Sequence, residues 1–220
     1  MYDTNLPGKN DNRDYDYSTT PVEERAEYAS VVSLVETGKT VVDLGCGNGS
    51  LMQLLNTQKN AVCTGVEISA SGVQACREKG FETLQQSIDT RLPFADNQFD
   101  YALCNVTMQM VQYPEILMQE MKRIARFQVI SFPNFAFYKN RFQLFFGGRM
   151  PKKLLYGYTW YNTGHIHQFS IKDFKELVQH TGGLEIVKQV SPQTGPVAKT
   201  IAKWHPNLFE ILPVFLLRKL

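Results

Sequence analysis

Short apolar runs alternate along the chain with segments in which apolar positions recur every three or four residues. This alternation is typical of a mostly parallel sheet covered by helices, because parallel strands are joined by helical crossovers. We therefore predict a doubly wound α/β fold. The predicted strands are residues 40–44, 61–66, 82–85, 99–104, 128–132, 184–190 and 214–217.

Proline, serine and glycine residues mark the ends of the helical segments. Pro114 suits the first turn of a helix, where its missing N–H would lack a partner anyway. Ser170 and Asp173 resemble a capping box, and the helix that they begin is expected to end at the glycine pair Gly182 and Gly183. The other predicted helices are residues 50–58, 71–79, which Gly80 ends, and 114 to about 125.

The composition indicates one ordinary globular domain. The chain has 220 residues, of which 43% are hydrophobic and 20% charged, which is enough to bury a sizeable core unaided. Residues 1–24 are polar, rich in Asp and Asn, and lack the apolar stretch of a signal peptide, so we predict a tail or an exposed arm there. We predict that residues 25–220 form a single domain.

Neither the charge nor the C-terminal segment indicates a nucleic-acid or membrane partner. A net charge of +2 is too small to imply nucleic acid by itself. The apolar run near the C-terminus is interrupted by Glu210 and Pro213 and is shorter than the roughly 20 residues that a membrane span requires.

The four cysteines lie far apart, with no C-x-x-C pair and no histidine at ligand spacing. We interpret them as buried free thiols and predict no metal site. Reduced thiols suit the cytoplasm, where we expect the protein.

The stretch VVDLGCGNGSL, residues 41–51, places three glycines between the first predicted strand and the first predicted helix. Gly45, Gly47 and Gly49 let a ligand approach the backbone, and the free N–H groups at a helix start favour an anionic group such as a carboxylate. The Rossmann dinucleotide fingerprint would need its third glycine at Ser50, so the spacing is off by one.

Two acidic residues narrow the choice of ligand. Glu67 ends the second strand about twenty residues beyond the glycines, where a carboxylate can accept both hydroxyls of a ribose. Asp43 precedes the first glycine and is placed to meet a cationic ligand group or to brace the loop. S-adenosylmethionine carries an ammonium, a carboxylate and a ribose but no phosphate, and the pattern resembles the class I S-adenosylmethionine-dependent methyltransferases. A NAD site and a vestigial loop without ligand are the alternatives.

After the third strand, methyltransferases of this class commonly carry an acidic residue for the adenine amino group and then an apolar residue for the ring. Here Ser87 stands at the acidic position, Ile88 is placed to pack on adenine, and Asp89 either substitutes for the acid or caps a turn. The predicted S-adenosylmethionine-binding residues are Asp43, Gly45, Cys46, Gly47, Gly49, Glu67, Ile68, Ile88, Asp89 and Asn105.

The methyl acceptor and the catalytic groups are not evident from the sequence. The chain has NVTMQM from Asn105 where amine methyltransferases of nucleic acids carry a [DN]PPY box. No cysteine with a partner histidine and no carboxylate pair is visible, so no catalytic residue is predicted. Methyl transfer can proceed by positioning alone, so enzymatic activity stays open.

Residues 133–169 combine many aromatic side chains with several cations and no acidic residue. Such a segment can bind single-stranded nucleic acid. We favour a cap inserted after the fifth strand, in which the aromatic residues form a small core and the cations lie outside. Arg141 and Arg149 are the first candidates for docking a partner, although each could instead clamp the cap onto its own sheet. His165 and His167 offer too few ligands for a metal site.

Several longer motifs resemble the MetW family of methionine-biosynthesis proteins, from about Arg25 to the C-terminus. They are VVDLGCGNG, GVEIS, FDYALCNVTMQMV, VISFPNF, KNRFQL, GRMP, WYNTGHIH, SIKDFKEL and WHPNLFEILPVFLLRK. The resemblance implies a class I methyltransferase fold, S-adenosylmethionine as cofactor and homoserine O-acyltransferase as partner. Ser87 departs from the aspartate that MetW sequences usually carry.

Two functions from different classes follow from these observations. In the first, the protein binds S-adenosylmethionine and supports or activates homoserine O-acyltransferase without catalysis of its own. In the second, it is an S-adenosylmethionine-dependent methyltransferase acting on a small molecule. An RNA-binding methyltransferase that uses the basic cap is a weaker third interpretation.

Overall fold

The structure is a computed structural model that describes residues 16–17, 25–151, 160–161, 163–192 and 204–220. Of the predicted N-terminal tail, only Asp16 and Tyr17 lie within the described residues. Lys152 and Lys153, two of the cations in the predicted cap, lie outside them.

Seven strands form one sheet in the order β3-β2-β1-β4-β5-β7-β6. The first five strands pair in parallel, whereas β7 runs antiparallel to both β5 and β6. The predicted mostly parallel α/β sheet is therefore confirmed. The strands are β1 Thr40–Leu44, β2 Val62–Glu67, β3 Glu82–Gln85, β4 Phe99–Asn105, β5 Ala125–Ser131, β6 Leu184–Val190 and β7 Val214–Lys219.

Six helices of seven or more residues accompany the sheet in the described part of the chain. The Ser170 hydroxyl accepts the N–H of Asp173 and the Asp173 carboxylate accepts the N–H of Ser170, so the predicted capping box is present. The helices are α1 Tyr28–Leu34, α2 Ser50–Lys59, α3 Ala70–Glu78, α4 Pro114–Ile124, α5 Tyr138–Gly147 and α6 Ile171–Thr181. Short helical turns also occur at Met108–Met110 and Pro206–Phe209.

Apolar side chains pack on both faces of the sheet. On one face, Phe132, Phe174 and Phe215 are fully buried, and their rings lie within 5.8 Å of one another. On the other face, the apolar sides of α1 and α2 contribute Val31 and Leu55 to a separate buried cluster. Burial on both faces explains why the central strands read as continuous apolar runs.

The strand order reverses direction between β1 and β4, which lie side by side at the centre of the sheet. In open α/β sheets, ligands bind outside the carboxyl ends of the strands at such a switch point. The loops that follow β1, β2 and β4 meet at this edge.

Helix α5 lies inside the predicted cap, residues 133–169, and corrects one expectation about it. The exposed fractions of the residues Phe142, Phe145 and Phe146 are 58%, 82% and 74%, so these aromatic residues do not form a small core. They contact one another instead, with ring centroids 5.6 Å apart for Phe142 and Phe146 and 4.8 Å apart for Phe145 and Phe146.

No helix in the described part of the chain is long and apolar enough to cross a membrane.

Candidate functional site

The loop from β1 to α2 requires glycine for two physical reasons. Gly45 and Gly49 have φ angles of 80° and 77°, a region that side chains of L-residues rarely adopt. A Cβ at Gly45 would lie 2.5 Å from Cγ2 of Thr107, and one at Gly49 would lie 2.9 Å from Sγ of Cys76. Both distances are shorter than real contacts, so the glycines let the loop pack closely against the loop after β4 and against α3.

Glu67, at the end of β2, fixes the position of the glycine loop. Its Oε2 accepts the backbone N–H of Gly47 at 2.8 Å, and its Oε1 accepts the N–H groups of Ile68 and Ser69 at 2.9 Å each. The side chain is buried, and three N–H donors orient its carboxylate. Because each carboxylate oxygen has about two acceptor sites, Oε2 keeps capacity for a ligand hydroxyl.

Asp43, at the end of β1, carries a buried carboxylate with an oxygen that lacks a hydrogen-bond partner in the described part of the chain. The residue is 2% exposed, and among the described residues its Oδ1 has no hydrogen-bond partner. Burial, together with the negative charge of Glu67, raises the pKa of Asp43 from 3.8 to about 7. A buried acceptor without a partner is costly, so the site suits a ligand that brings a hydrogen-bond donor or a positive charge.

Asp89 joins two loops at the cavity. Its Oδ2 accepts the N–H groups of Gln112 and Tyr113 at 2.8 Å and 3.1 Å, and Ser87 donates its hydroxyl to Oδ1. Burial alone would raise the pKa of Asp89, but these hydrogen bonds outweigh it and lower the pKa. These hydrogen bonds hold the turn before α4, and the Ser87 hydroxyl orients the Asp89 carboxylate.

Asn105, at the end of β4, connects the sheet to the segment before α1. Its amide donates to Oε1 of Glu27 at 3.1 Å and its carbonyl oxygen accepts the Ser131 hydroxyl at 2.6 Å. Glu27 is buried and forms an ion pair with Nε of Arg25 at 2.9 Å. This network therefore places the guanidinium group of Arg25 at the edge of the site.

One cavity of about 830 Å³ unites these groups. Among the ten predicted ligand-binding residues, only Gly49 does not line it. The other nine that line it are Asp43, Gly45, Cys46, Gly47, Glu67, Ile68, Ile88, Asp89 and Asn105. Its volume lies within the range of about 300 to 1,000 Å³ that is usual for small-molecule sites.

Further residues of the cavity wall were not predicted from the sequence. Among them are Tyr17, Arg25, Tyr28, Met110 and Ile166. They come from segments distant along the chain, and no motif links them to the glycine loop. Ile166 reaches the site because the N–H groups of Ile166 and His167 both donate to the carbonyl of Gln109.

The cysteines form no disulfide, and with the histidines they form no metal-binding group in the part of the chain that the structure describes. All four cysteines are buried free thiols, as predicted, with Sγ of Cys46 and Cys76 3.7 Å apart. Burial lowers the pKa of His165, which does not line the cavity. Within the described ranges, no group of three or more His, Cys, Asp or Glu side chains is placed to hold a metal ion.

Comparison with known proteins identifies both a family and a fold. The profile of the family described as methionine biosynthesis protein MetW matches residues 25–217. The bifunctional methionine biosynthesis protein MetXA/MetW of Rhodopirellula baltica is 32% identical over 168 residues, which cover 72% of this chain and 26% of that protein. The chain thus spans about a quarter of the length of this curated relative.

Solved structures with a similar fold include S-adenosylmethionine-dependent methyltransferases. The enzyme of Thermotoga maritima is 19% identical, with a TM-score of 0.64 and coverage of 89% of this chain and 88% of that one. That of Mesorhizobium loti is 14% identical, with a TM-score of 0.63 and coverage of 90% and 100%. The [4+2]-cyclase SpnF aligns equally well, with a TM-score of 0.63, 15% identity and coverage of 93% and 86%. The class I methyltransferase fold is therefore established, but similar folds carry different chemistry.

Proposed function

Because this chain belongs to the MetW family of methionine-biosynthesis proteins, with a class I methyltransferase fold, we propose that it binds S-adenosylmethionine and supports homoserine O-acyltransferase. The observation that carries the proposal is the cavity in which Asp43, Glu67 and the glycine loop converge.

The residues of the cavity fit the chemical groups of S-adenosylmethionine. The carboxylate of Asp43, which lines the cavity, suits the ammonium, and the remaining acceptor capacity of Glu67 suits the ribose hydroxyls. Ile88 and Ile68 offer apolar surface for the adenine ring. The cofactor, when bound, would supply an electrophilic methyl group. The protein's own residues bind and orient it.

The Glu67→Ala variant tests the binding site. Loss of charge-assisted hydrogen bonds to the ribose should weaken S-adenosylmethionine binding about ten- to a hundredfold, as measured by calorimetry. The matched control is Glu82→Ala, which removes an exposed carboxylate from the neighbouring strand and should leave the affinity unchanged. Unchanged affinity in a folded Glu67→Ala variant would remove Glu67 from the site. No binding to the wild type would instead indicate a vestigial loop.

Support of the acyltransferase is proposed from the family and from the fused relative. In the MetXA/MetW protein, a segment similar to this chain occurs in one polypeptide with the remaining three-quarters of that protein. Two separate chains with the same two functions would need a docking surface to associate.

We propose α5 as that docking surface. Among the ten residues of this helix, only Asn140 is buried, and its amide donates to the carbonyl of Phe135 at 3.0 Å. The Nε of Arg141 donates to the carbonyl of Ala136, just before the helix, at 2.6 Å, and its guanidinium also donates to the carbonyl of Asn207 at 3.4 Å, contacts that suit the alternative role of Arg141 as a clamp. Arg149, directly after the helix, is exposed.

The exposed face of α5 has the composition of an interface centre. Phe142, Phe145 and Phe146 contact one another and so lose little rotamer freedom when a partner covers them. Aromatic and arginine side chains are the usual anchors of protein interfaces. A carboxylate-bearing groove on the acyltransferase would fit this cluster together with Arg149.

Methyl transfer to a small molecule is the second candidate function. The observation that favours it is the extension of the cavity beyond the glycine loop to Arg25, Thr107, Met110 and Ile166, which leaves space for an acceptor. Formation of S-adenosylhomocysteine in the presence of homoserine or O-acylhomoserine would support this function. Retention of all S-adenosylmethionine unchanged with both compounds would count against it.

A further inference from the structure

One wall of the proposed cofactor cavity comes from outside the segment of this chain that matches the MetW family. The family match begins at residue 25, and Tyr17 precedes it. Tyr17 and Asp16 nevertheless line the cavity together with the glycine loop and Glu67.

The ring of Tyr17 lies directly over two glycines. A Cβ at Gly47 would lie 3.2 Å from Cε1 and 3.3 Å from Oη of Tyr17, and one at Gly72 would lie 3.0 Å from its Cδ2. Side chains at either position would push the ring away. Because Gly47 and Gly72 have no side chains, the Tyr17 ring can approach the backbone at both positions. The same lack of side chains leaves room for a ligand.

The main chain of Tyr17 is also held in place. Its N–H donates to the hydroxyl of Ser71, near the start of α3, at 2.9 Å. Gly72, which follows Ser71, lies against the carboxylate side chain proposed for the ribose, because a Cβ there would be 2.9 Å from Cγ of Glu67. The ring thus stands beside Glu67, at the nucleoside end of the proposed site.

Tyr17 forms a wall of the cavity and does not fill it. With Tyr17 in its place, the cavity still has a volume of about 830 Å³. A tyrosine offers an apolar ring face and a polar hydroxyl, which match a nucleoside that is apolar on the base and polar on the sugar.

We propose that Tyr17 is a ligand-binding residue of this site and contacts the nucleoside portion of S-adenosylmethionine. The proposal rests on the proposed binding of that cofactor and extends the site to a residue that precedes the MetW-matched segment. It predicts that affinity depends on the ring of Tyr17 more than on its hydroxyl.

Binding kinetics of three variants of the full chain test the proposal. Tyr17→Ala should raise the Kd for S-adenosylmethionine about tenfold, mainly through faster dissociation, whereas Tyr17→Phe should stay within about threefold of the wild type. The control Tyr161→Ala removes an exposed tyrosine that does not line the cavity and should bind like the wild type. Wild-type kinetics in Tyr17→Ala would overturn the proposal and leave the proposed function intact. No binding to the wild type would overturn both.

Hydrogen exchange gives a second readout that does not depend on affinity. The N–H of Tyr17 should exchange more slowly than in a free peptide, and more slowly again with S-adenosylmethionine present, because it donates to Ser71. The Ser71→Ala variant should lose this protection. Exchange at the free-peptide rate with and without S-adenosylmethionine would show that Tyr17 does not stay at the site, and would contradict the proposal.

Discussion

The buried carboxylate of Asp43 makes stability depend on pH. Its folded-state pKa of about 7 lies above the ordinary value of 3.8, because burial and then the charge of Glu67 disfavour ionisation. Between these two values, the folded protein holds a proton that the unfolded chain has released. Its contribution to stability therefore falls as pH rises through this window, and the full cost of the buried charge is present above about pH 7.

The Asp43→Asn variant removes this titration. The free energy of unfolding of the variant, relative to the wild type, should rise from about pH 5 to pH 7 and level off above it, as measured by urea denaturation. Asp100→Asn is the control. Burial alone would raise the pKa of Asp100, but hydrogen bonds from Thr40 lower it, so its difference from the wild type should be constant over this range. Parallel pH profiles for Asp43→Asn and the wild type would show that Asp43 titrates normally.

Val106 shows backbone strain at the same site. Its φ of 52° is unusual for a β-branched residue. The backbone carbonyl and hydroxyl of Ser131 each accept the Val106 N–H at 3.0 Å, and Gln109 donates to the Val106 carbonyl at 2.7 Å. Strained residues persist where surrounding contacts over-determine them, and they cluster at ligand sites.

The sequence predicted some of these residues and missed others for a clear reason. Asp43 and Glu67 were found because each ends an apolar strand at a fixed distance from the glycines. Tyr17, Arg25 and Ile166 were missed because only tertiary folding brings them to the cavity wall. Local spacing carries no signal for such contacts.

At the scale of elements, most strands and helices lie close to the positions predicted from the sequence. The predicted bounds of β1, β3 and β6 agree with the structure, and β5 begins three residues before the predicted 128. Helices α1 and α5 were not predicted. Neither has a side-chain hydrogen bond at its N-cap, and α5 has no apolar face turned to the core. Hydrophobic periodicity cannot reveal a helix whose aromatic residues face outward.

An ion pair within α4, between Arg123 and Glu120, makes hydrogen bonds to the loop between β3 and β4, which carries Ile88 and Asp89. Arg123 donates through Nε to Glu120 at 2.8 Å and through its guanidinium to the carbonyls of Phe94 and Leu92. Glu120 also accepts the N–H of Leu92 at 2.7 Å. The pair therefore holds a loop that forms part of the cavity wall.

The Arg123→Ala variant should lower the free energy of unfolding by about 3 kcal/mol, because it leaves the buried Glu120 carboxylate without its charged partner. Arg126→Ala, which removes an exposed cation from the start of β5, should cost less than about 1 kcal/mol. Chemical denaturation measures both. Equal losses in the two variants would mean that the Arg123 network contributes no more than a surface charge.

At the scale of the whole molecule, cofactor binding and partner docking are proposed for two separate regions. The cavity lies where β1, β2 and β4 end, and the aromatic face of α5 lies in the segment after β5. The first suits a small cofactor and the second suits a protein partner. Neither role follows from the fold alone, since proteins of this architecture include methyltransferases and a cyclase.

The most direct test of the central claim is the rate of purified homoserine O-acyltransferase, titrated with this protein in the presence and absence of S-adenosylmethionine. The wild type should bind the acyltransferase and change its rate, and S-adenosylmethionine should alter that change. The double variant Phe145→Ala/Arg149→Glu should bind the acyltransferase at least about tenfold more weakly, without a lower melting temperature. The control Ile116→Ala, which truncates an exposed apolar residue on α4, should behave like the wild type. An acyltransferase rate that does not respond to the wild-type protein at saturating concentration, with or without S-adenosylmethionine, would contradict the account.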